Sequence, residues 1–225
     1  MPRSARLVVP GLPHHVTQRG NQRQRTFFGD SDCRLYLKLL ARWCAKCGTA
    51  VWAWCLMPNH VHLILVPSRE DGLAAALGPA HGGYSTLVNA RDGRSGHLWQ
   101  GRFGSFVMDE RHLLACARYV ELNPVRAGLA GRAEDWLWSS ARAHLRGRSD
   151  GVVDAAPLLE RWPDWRAVLD SGLEPELREA IRLRERSGRP LGDPAFLAAL
   201  AADGHDRLLP ARIRLPLSPR TADGA

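Results

Sequence analysis

The sequence predicts an α+β fold: an antiparallel sheet with helices on one face, plus a helical C-terminal appendage. Three observations support this. Four short runs have strand composition, at residues 14–20, 51–57, 60–66 and 103–108, and the middle two are separated only by Pro58 and Asn59. Stretches of helical periodicity lie between them, giving the order strand, helix, strand, strand, helix, strand, helix. The chain has 225 residues, 45% hydrophobic and 24% charged, enough for one good-sized domain with a small addition.

"HHVTQRG", His14 to Gly20, is short, β-branched and partly alternating, as a strand should be. The polar, basic loop "GNQRQRTFFGD" leads to Asp30 or Ser31, either able to cap a helix that runs to about Lys46. Leu35, Leu39 and Trp43 repeat at helical spacing there, Leu40 widens the stripe, and Gly48 stops it. "VWAWCLM" and "HVHLILV", joined by two turn residues, predict a hairpin. A helix is expected from near Asp71, carrying Leu73 and Leu77, interrupted by "GPAHGG" and resumed through "YSTLVNAR". "RDGRSGHLWQGR" is loop-like and "FGSFVM" strand-like. Asp109 should cap the helix "ERHLLACARYVELN", which Pro124 and Gly128 end.

The first six elements form the βαββαβ order of the ferredoxin-like fold, in which helices cover one sheet face and the other stays open. "EDWLWSSARAHL" reads as one more packing helix, closing a first domain at about residue 148. Residues 149–210 read as a small helical appendage with "ELREAIRLRERSG" and "DPAFLAALAADG", and residues 211–225 as a mobile tail. Trp43, Trp52, Trp54, Trp136 and Trp138 are assigned to the core.

The formal net charge of +8 favours a polyanionic partner, nucleic acid ahead of an anionic membrane surface. No apolar stretch approaches the roughly 20 residues that cross a bilayer, and "MPRSARLVVPGLPHH" lacks the apolar core of a secretory leader. Five cysteines, an odd number, fit a reducing, cytoplasmic setting. Cys44 and Cys47 form a lone CxxC with no second pair, and read as helical thiols rather than zinc ligands.

Within "PNHVHLIL", alternation puts His60 and His62 on one strand face and Val61, Leu63 and Leu65 on the other. The aliphatic face should meet the helices, so the histidines point to the open face. Their Cβ atoms are then roughly 6 to 7 Å apart, which suits shared coordination of one divalent ion. Two hydrogen-bonded surface histidines would give the same pattern. The helix at 110–123 offers further groups. His112, Cys116, Tyr119 and Asn123 share one face and Leu113, Ala117 and Val120 another. Tyr119 could act as a phenolic nucleophile, and Asn123, one turn later, has an amide oxygen able to bind a hard metal. An ordinary half-buried tyrosine before a helix end is the alternative.

"MPNHVHLIL" followed by "RYVELNPVRAGL" resembles the HUH single-strand DNA transposases of the IS200/IS605 type. "VVPGLPHHVTQRGNQRQ", "GHLWQGRF", "WSSARAHL" and "SGRPLGDPAFLAAL" resemble the REP-associated tyrosine transposases within that group. The resemblance spans residues 3 to 210. It implies that His60 and His62 bind the metal, that Tyr119 is the nucleophile, and that Asn123 completes the metal site. It further implies Mg²⁺ or Mn²⁺, a covalent 5′-phosphotyrosine, and single-stranded or hairpin DNA as substrate. Classical members exchange the tyrosine helix between two subunits; the appendage here favours a monomer.

DNA contacts are expected from Arg19, Asn21, Arg23 and Arg25 in the first loop, where arginines hold phosphates and amides read base edges. Trp99, Gln100 and Arg102 combine a stacking ring with a phosphate contact, and Arg126 follows the tyrosine helix. His112 is a weak candidate for the base that activates Tyr119. Two rivals remain: a repeat-binding regulator that does not cleave, and a zinc hydrolase, which lacks an HExxH motif and whose nearest acid to the histidine pair is Glu70.

Overall fold

Strand alternation sorts side chains to two faces, and both faces prove to need cover. In the computed structural model, which describes residues 6–205, four strands pair antiparallel in the order β2-β3-β1-β4. They are β1 (His14–Arg19), β2 (Thr49–Met57), β3 (His60–Pro67) and β4 (Gly104–Val107). The expected tail at 211–225 lies outside the described residues. Between and after the strands come α1 (Asp30–Lys46), α2 (Gly72–Arg91) and α3 (Glu110–Glu121). Six shorter helices follow: α4 (Asn123–Arg126), α5 (Ala141–Leu145), α6 (Ala156–Arg161), α7 (Trp165–Asp170), α8 (Pro175–Ser187) and α9 (Pro194–Ala202). The ferredoxin-like order is as expected.

One face carries Val16, Leu56, Val61, Leu63 and Leu65 against Tyr36 and Leu40 of α1 and Leu73, Leu77 and Tyr84 of α2. The other carries Ala53, Cys55, Met57, Ile64 and Phe106. It is not open: α3 lies over it with Leu113, Cys116 and Val120, and Leu158, Trp165, Leu169 and Ile181 of the appendage complete the layer. Five apolar strand residues on that face would otherwise stand in water, at about 25 cal/mol for each Å² exposed. A bulge between Val51 and Ala53 lets Val51 and Trp54 both face α1 and α2.

Two expectations are corrected. The helix at 72–91 runs unbroken through Pro79. Proline inside a helix costs about 3 kcal/mol, but α2 buries Leu73, Ala76, Leu77, Ala80, His81, Tyr84 and Val88 in return. "EDWLWSSARAHL" is helical only at its end, in α5. Its first half forms a 3₁₀ turn and then a strap along the edge of β2, with Leu56 N–H donating to Trp138 O at 2.8 Å and Ser140 N–H to Trp54 O at 2.9 Å. The strap satisfies an edge strand that would otherwise be bare. Of the five tryptophans assigned to the core, Trp54 is fully buried and Trp43, Trp52, Trp136 and Trp138 are half-buried.

Among the described residues no helix is long and apolar enough to cross a membrane.

His81 is buried under α2, with its Nε2 3.0 Å from the Tyr36 hydroxyl, and burial lowers its pKa to about 3. A depressed histidine stabilises the fold above its unfolded pKa of about 6.5 and is lost as pH falls, because the unfolded chain takes the proton first. Stability should therefore drop by about 1.4 kcal/mol per pH unit from His81 alone below pH ~6.5. Urea midpoints from pH 7 to 5 check this: His81→Gln should flatten the slope, and an unchanged slope would refute it.

Candidate functional site: a tyrosine against a histidine cluster

The Pro58-Asn59 turn is pinned on both sides before β3 begins. Gly20 N–H donates to Asn59 O at 2.8 Å and Thr26 N–H to Pro58 O at 2.9 Å. Alternation then aims His60 and His62 at the α3 side, opposite Val61 and Leu63. Their ring centroids are 4.9 Å apart. The Asn59 side-chain oxygen accepts from His60 Nδ1 at 2.6 Å, which leaves His60 Nε2 with a free lone pair.

A third imidazole joins them. His15 of β1 shares a hydrogen bond with His62, Nε2 to Nδ1 at 3.1 Å, and the two rings are nearly parallel. Glu185 of α8 brings Oε1 to 3.5 Å from His62 Nδ1 and 3.9 Å from His15 Nδ1. His15 Nδ1 and Glu185 Oε1 are both buried without a hydrogen-bond partner. Burial lowers His15 to about 3, and burial with nearby Arg19 lowers His60 to about 4; His62 is pushed well down by burial and by its two histidine neighbours. All three imidazoles are thus neutral near pH 7, the state that offers lone pairs. Burial raises Glu185 to about 7 against the pull of Arg19 and Arg182.

Tyr119 of α3 lies edge-on to this cluster, its ring centroid 5.5 Å from His62 and 6.0 Å from His15. Asp109 caps α3 as expected, accepting from His112 N–H at 2.9 Å. The Tyr119 hydroxyl hydrogen-bonds Glu185 and Arg182, which are three residues apart on α8. The Arg126 guanidinium stands 4.3 Å from the Tyr119 ring centroid and donates to Tyr119 O at 2.6 Å. Burial and Glu185 raise the phenol's pKa, while Arg126 and Arg182 hold it down.

The other expected residues distribute as follows. Asn123 is half-buried at the start of α4, because Pro124 lacks the N–H that would bond Val120 and the helix divides there. His112 sits at the start of α3, bonded through Nδ1 to Asp109 at 2.6 Å. Seven residues of helix put it about 10 Å along the axis from Tyr119, so it is not the group beside the phenol. Arg19 ends β1 opposite His60. Arg19, Arg23, Arg25, Gln100 and Arg102 are exposed and Asn21 is half-buried. The two loops are tied together: Asn21 N–H donates to Leu98 O and Gln100 N–H to Arg19 O, both at 2.8 Å. Gln22 and Arg23 adopt φ of 50° and 61°, a left-handed turn that costs non-glycine residues on the order of 1 kcal/mol each. Trp99 departs from expectation. It is 6% exposed, packs among Phe27, Tyr36 and Tyr84, and donates through Nε1 to His81 O, so its ring serves the core and is no surface for a base.

Sequence reasoning missed His15, Glu185 and Arg182. His15 was legible in principle: it alternates with Val16, so it shares the face of the other histidines once β1 and β3 pair. Nothing in "ELREAIRLRERSG" singles out Glu185.

A four-stranded antiparallel sheet presenting a tyrosine to a buried histidine cluster defines a class of α+β protein able to couple a phenolic nucleophile to a cation-binding site. The family model described as "Transposase IS200 like" matches residues 8–123, just over half of the chain, and the chain belongs to that family of DNA-processing enzymes. A curated relative, "Putative REP-associated tyrosine transposase" of Haemophilus influenzae, is 26% identical over 99 residues, 39% of this chain. The match spans about half of that relative's length (56%). A solved structure of a REP-associated tyrosine transposase bound to a REP hairpin superposes with a TM-score of 0.57 at 18% identity, covering 69% of this chain and 93% of that one, which shows a shared fold.

Proposed function

We propose that this chain is a metal-dependent endonuclease and strand transferase for single-stranded DNA, acting on hairpins through a covalent 5′-phosphotyrosine. The contact between Tyr119 and His62 is the observation that carries this reading: a phenol placed against neutral imidazoles of its own chain. The family membership and the hairpin carried by the structural neighbour agree with it. A regulator that only binds DNA would need neither group.

The residues fit a divalent cation. His60 presents a free Nε2, and His62 has a ring nitrogen besides the one bonded to His15. An oxygen would come from Asn123 or from Glu185, whose Oε1 is buried and unsatisfied. His15, His62 and Glu185 together place three ligand atoms within 4.8 Å of one another. Imidazole with amide or carboxylate oxygen suits Mg²⁺ or Mn²⁺ on a phosphate substrate. When bound, the ion would neutralise a phosphate oxygen and orient the scissile group.

The chain's own residues do the rest. Tyr119 attacks the phosphorus in line, forming the phosphotyrosine and releasing a 3′-OH. Glu185 is the group bonded to the phenol and so is placed to receive its proton. Arg126 and Arg182 offset the charge that develops on the phenolic oxygen. Attack by another 3′-OH reverses the step and joins strands without ATP. Arg19, Asn21, Arg23, Arg25, Gln100 and Arg102 form a basic rim that leads DNA to the site, and residues 149–210 act as part of the catalytic unit by supplying α8. Since Tyr119 reaches His62 of its own chain, a monomer suffices.

A labelled hairpin oligonucleotide with Mn²⁺, run on a denaturing gel, should show a protein–DNA adduct. EDTA should abolish the adduct and added Mn²⁺ restore it. Calorimetric Mn²⁺ binding should weaken at least about tenfold in His62→Ala, as loss of one ligand implies. Adduct formation in EDTA, or unchanged Mn²⁺ affinity, would remove the metal from the reading.

A further inference from the structure

We propose that the hollow between α5 and the strap over the β2 edge is a second phosphate site, built to hold the backbone of a DNA stem away from the tyrosine. The proposal rests on the reading that the chain binds hairpin DNA, and adds a surface that reading does not use.

The hollow has a volume of about 490 Å³, and Arg142, Arg146, Arg148, Ser149, Trp54 and Trp138 are among its walls. Among the described residues, none of the three arginines has a carboxylate within 4.0 Å, whereas neighbouring Arg132 and Arg166 are both paired with Glu134. Asp150 also borders the hollow, but its Oδ1 already accepts from Val152 N–H at 3.0 Å and Val153 N–H at 2.9 Å. Arg142 is held by its Nε donating to Glu134 O, which leaves its terminal nitrogens free to serve a ligand.

A group inside the wall points the same way. Trp54 is 3% exposed, and its Nε1–H is buried with no partner. Buried donors are nearly always satisfied, so an orphan facing a hollow ringed by unpaired guanidinium groups calls for an acceptor with negative charge. Phosphate oxygens meet both conditions.

The stem, rather than a single strand, follows from what surrounds the hollow. Single-strand sites offer free aromatic faces for bases, and here the Trp138 ring already faces the Arg34 guanidinium at 5.9 Å. A second hollow of about 390 Å³ shares Leu137 and Trp138 with the first and reaches Arg25 in the basic loop. Phosphates are therefore gripped at two places across an apolar divide, which a stiff duplex with fixed spacing can bridge.

The test is the salt dependence of binding. The probes are a DNA hairpin with a stem of about one helical turn and an unstructured oligo-dT strand. On the hairpin, Arg146→Ala with Arg148→Ala should reduce the slope of log affinity against log salt by about 2, near 0.9 for each phosphate released. On oligo-dT the slope should not change. Arg42→Ala with Arg69→Ala, which removes equal charge elsewhere, should leave both slopes unchanged. Trp54→Phe keeps the ring but removes the orphan donor. It should weaken hairpin binding about tenfold while the free protein melts no lower. An unchanged hairpin slope would overturn the proposal, as would equal losses on hairpin and oligo-dT, or Trp54→Phe binding at wild-type strength. If the wild-type chain fails to bind the hairpin at all, it is the functional reading that falls.

Discussion

Tyr119→Phe should leave hairpin DNA bound and form no covalent adduct, with strand cleavage falling at least about 10³-fold, as for other lost nucleophiles. The substitution removes one oxygen. The ring stays edge-on to His15 and His62, and Arg126 keeps its place over the ring face and on the Tyr119 carbonyl. Fold and DNA surface are therefore preserved while the attacking atom is gone, so a loss of adduct reports chemistry. Binding should change less than about threefold, under 1 kcal/mol. An adduct at wild-type level in this variant would sink the nucleophile assignment.

The second large effect concerns Glu121, two residues on and fully buried. Its Oε1 accepts from Ser140 Oγ and bonds His144 Nδ1, both at 2.6 Å, and its Oε2 accepts from Trp165 Nε1 at 2.8 Å. One carboxylate thus joins the end of the tyrosine helix to the strap, to α5 and to the appendage. Glu121→Ala strands three buried polar groups, which should cost about 3–5 kcal/mol. For a chain this long that is a melting temperature lower by roughly 10 °C. Glu121→Gln keeps an acceptor on the same stem and should lose less. A melting point for Glu121→Ala within about 2 °C of wild type would show that the network is dispensable.

This network also bears on how separate the appendage is. Composition shifts after residue 148, and the sequence there reads as a small helical addition. In the fold, Trp165, Leu169 and Ile181 share a core with Ile64, Phe106 and Val120, and Asp193 N–H donates to Asp109 Oδ2, at the cap of the tyrosine helix. The appendage is what closes the sheet face that the βαββαβ pattern alone would leave open.

The order of elements, the Pro58-Asn59 hairpin, the Asp109 cap and the shared orientation of His60 and His62 were legible in the sequence, because each follows from local periodicity or from turn and cap chemistry within a few residues. Tyr119 stood out only beside the family's motif, since a lone tyrosine on an amphipathic helix looks like packing. Three things depended on the tertiary structure. Whether Trp99 is core or surface turns on Phe27, Tyr36 and Tyr84, tens of residues away. His15 joins His62 only through the pairing of β1 with β3. Glu185 reaches the phenol only because α8 folds back over the sheet, more than sixty residues after Tyr119 in the chain. Periodicity fixes which way a side chain points from its own element; what it meets there is decided by burial across the whole chain, and no local pattern encodes that.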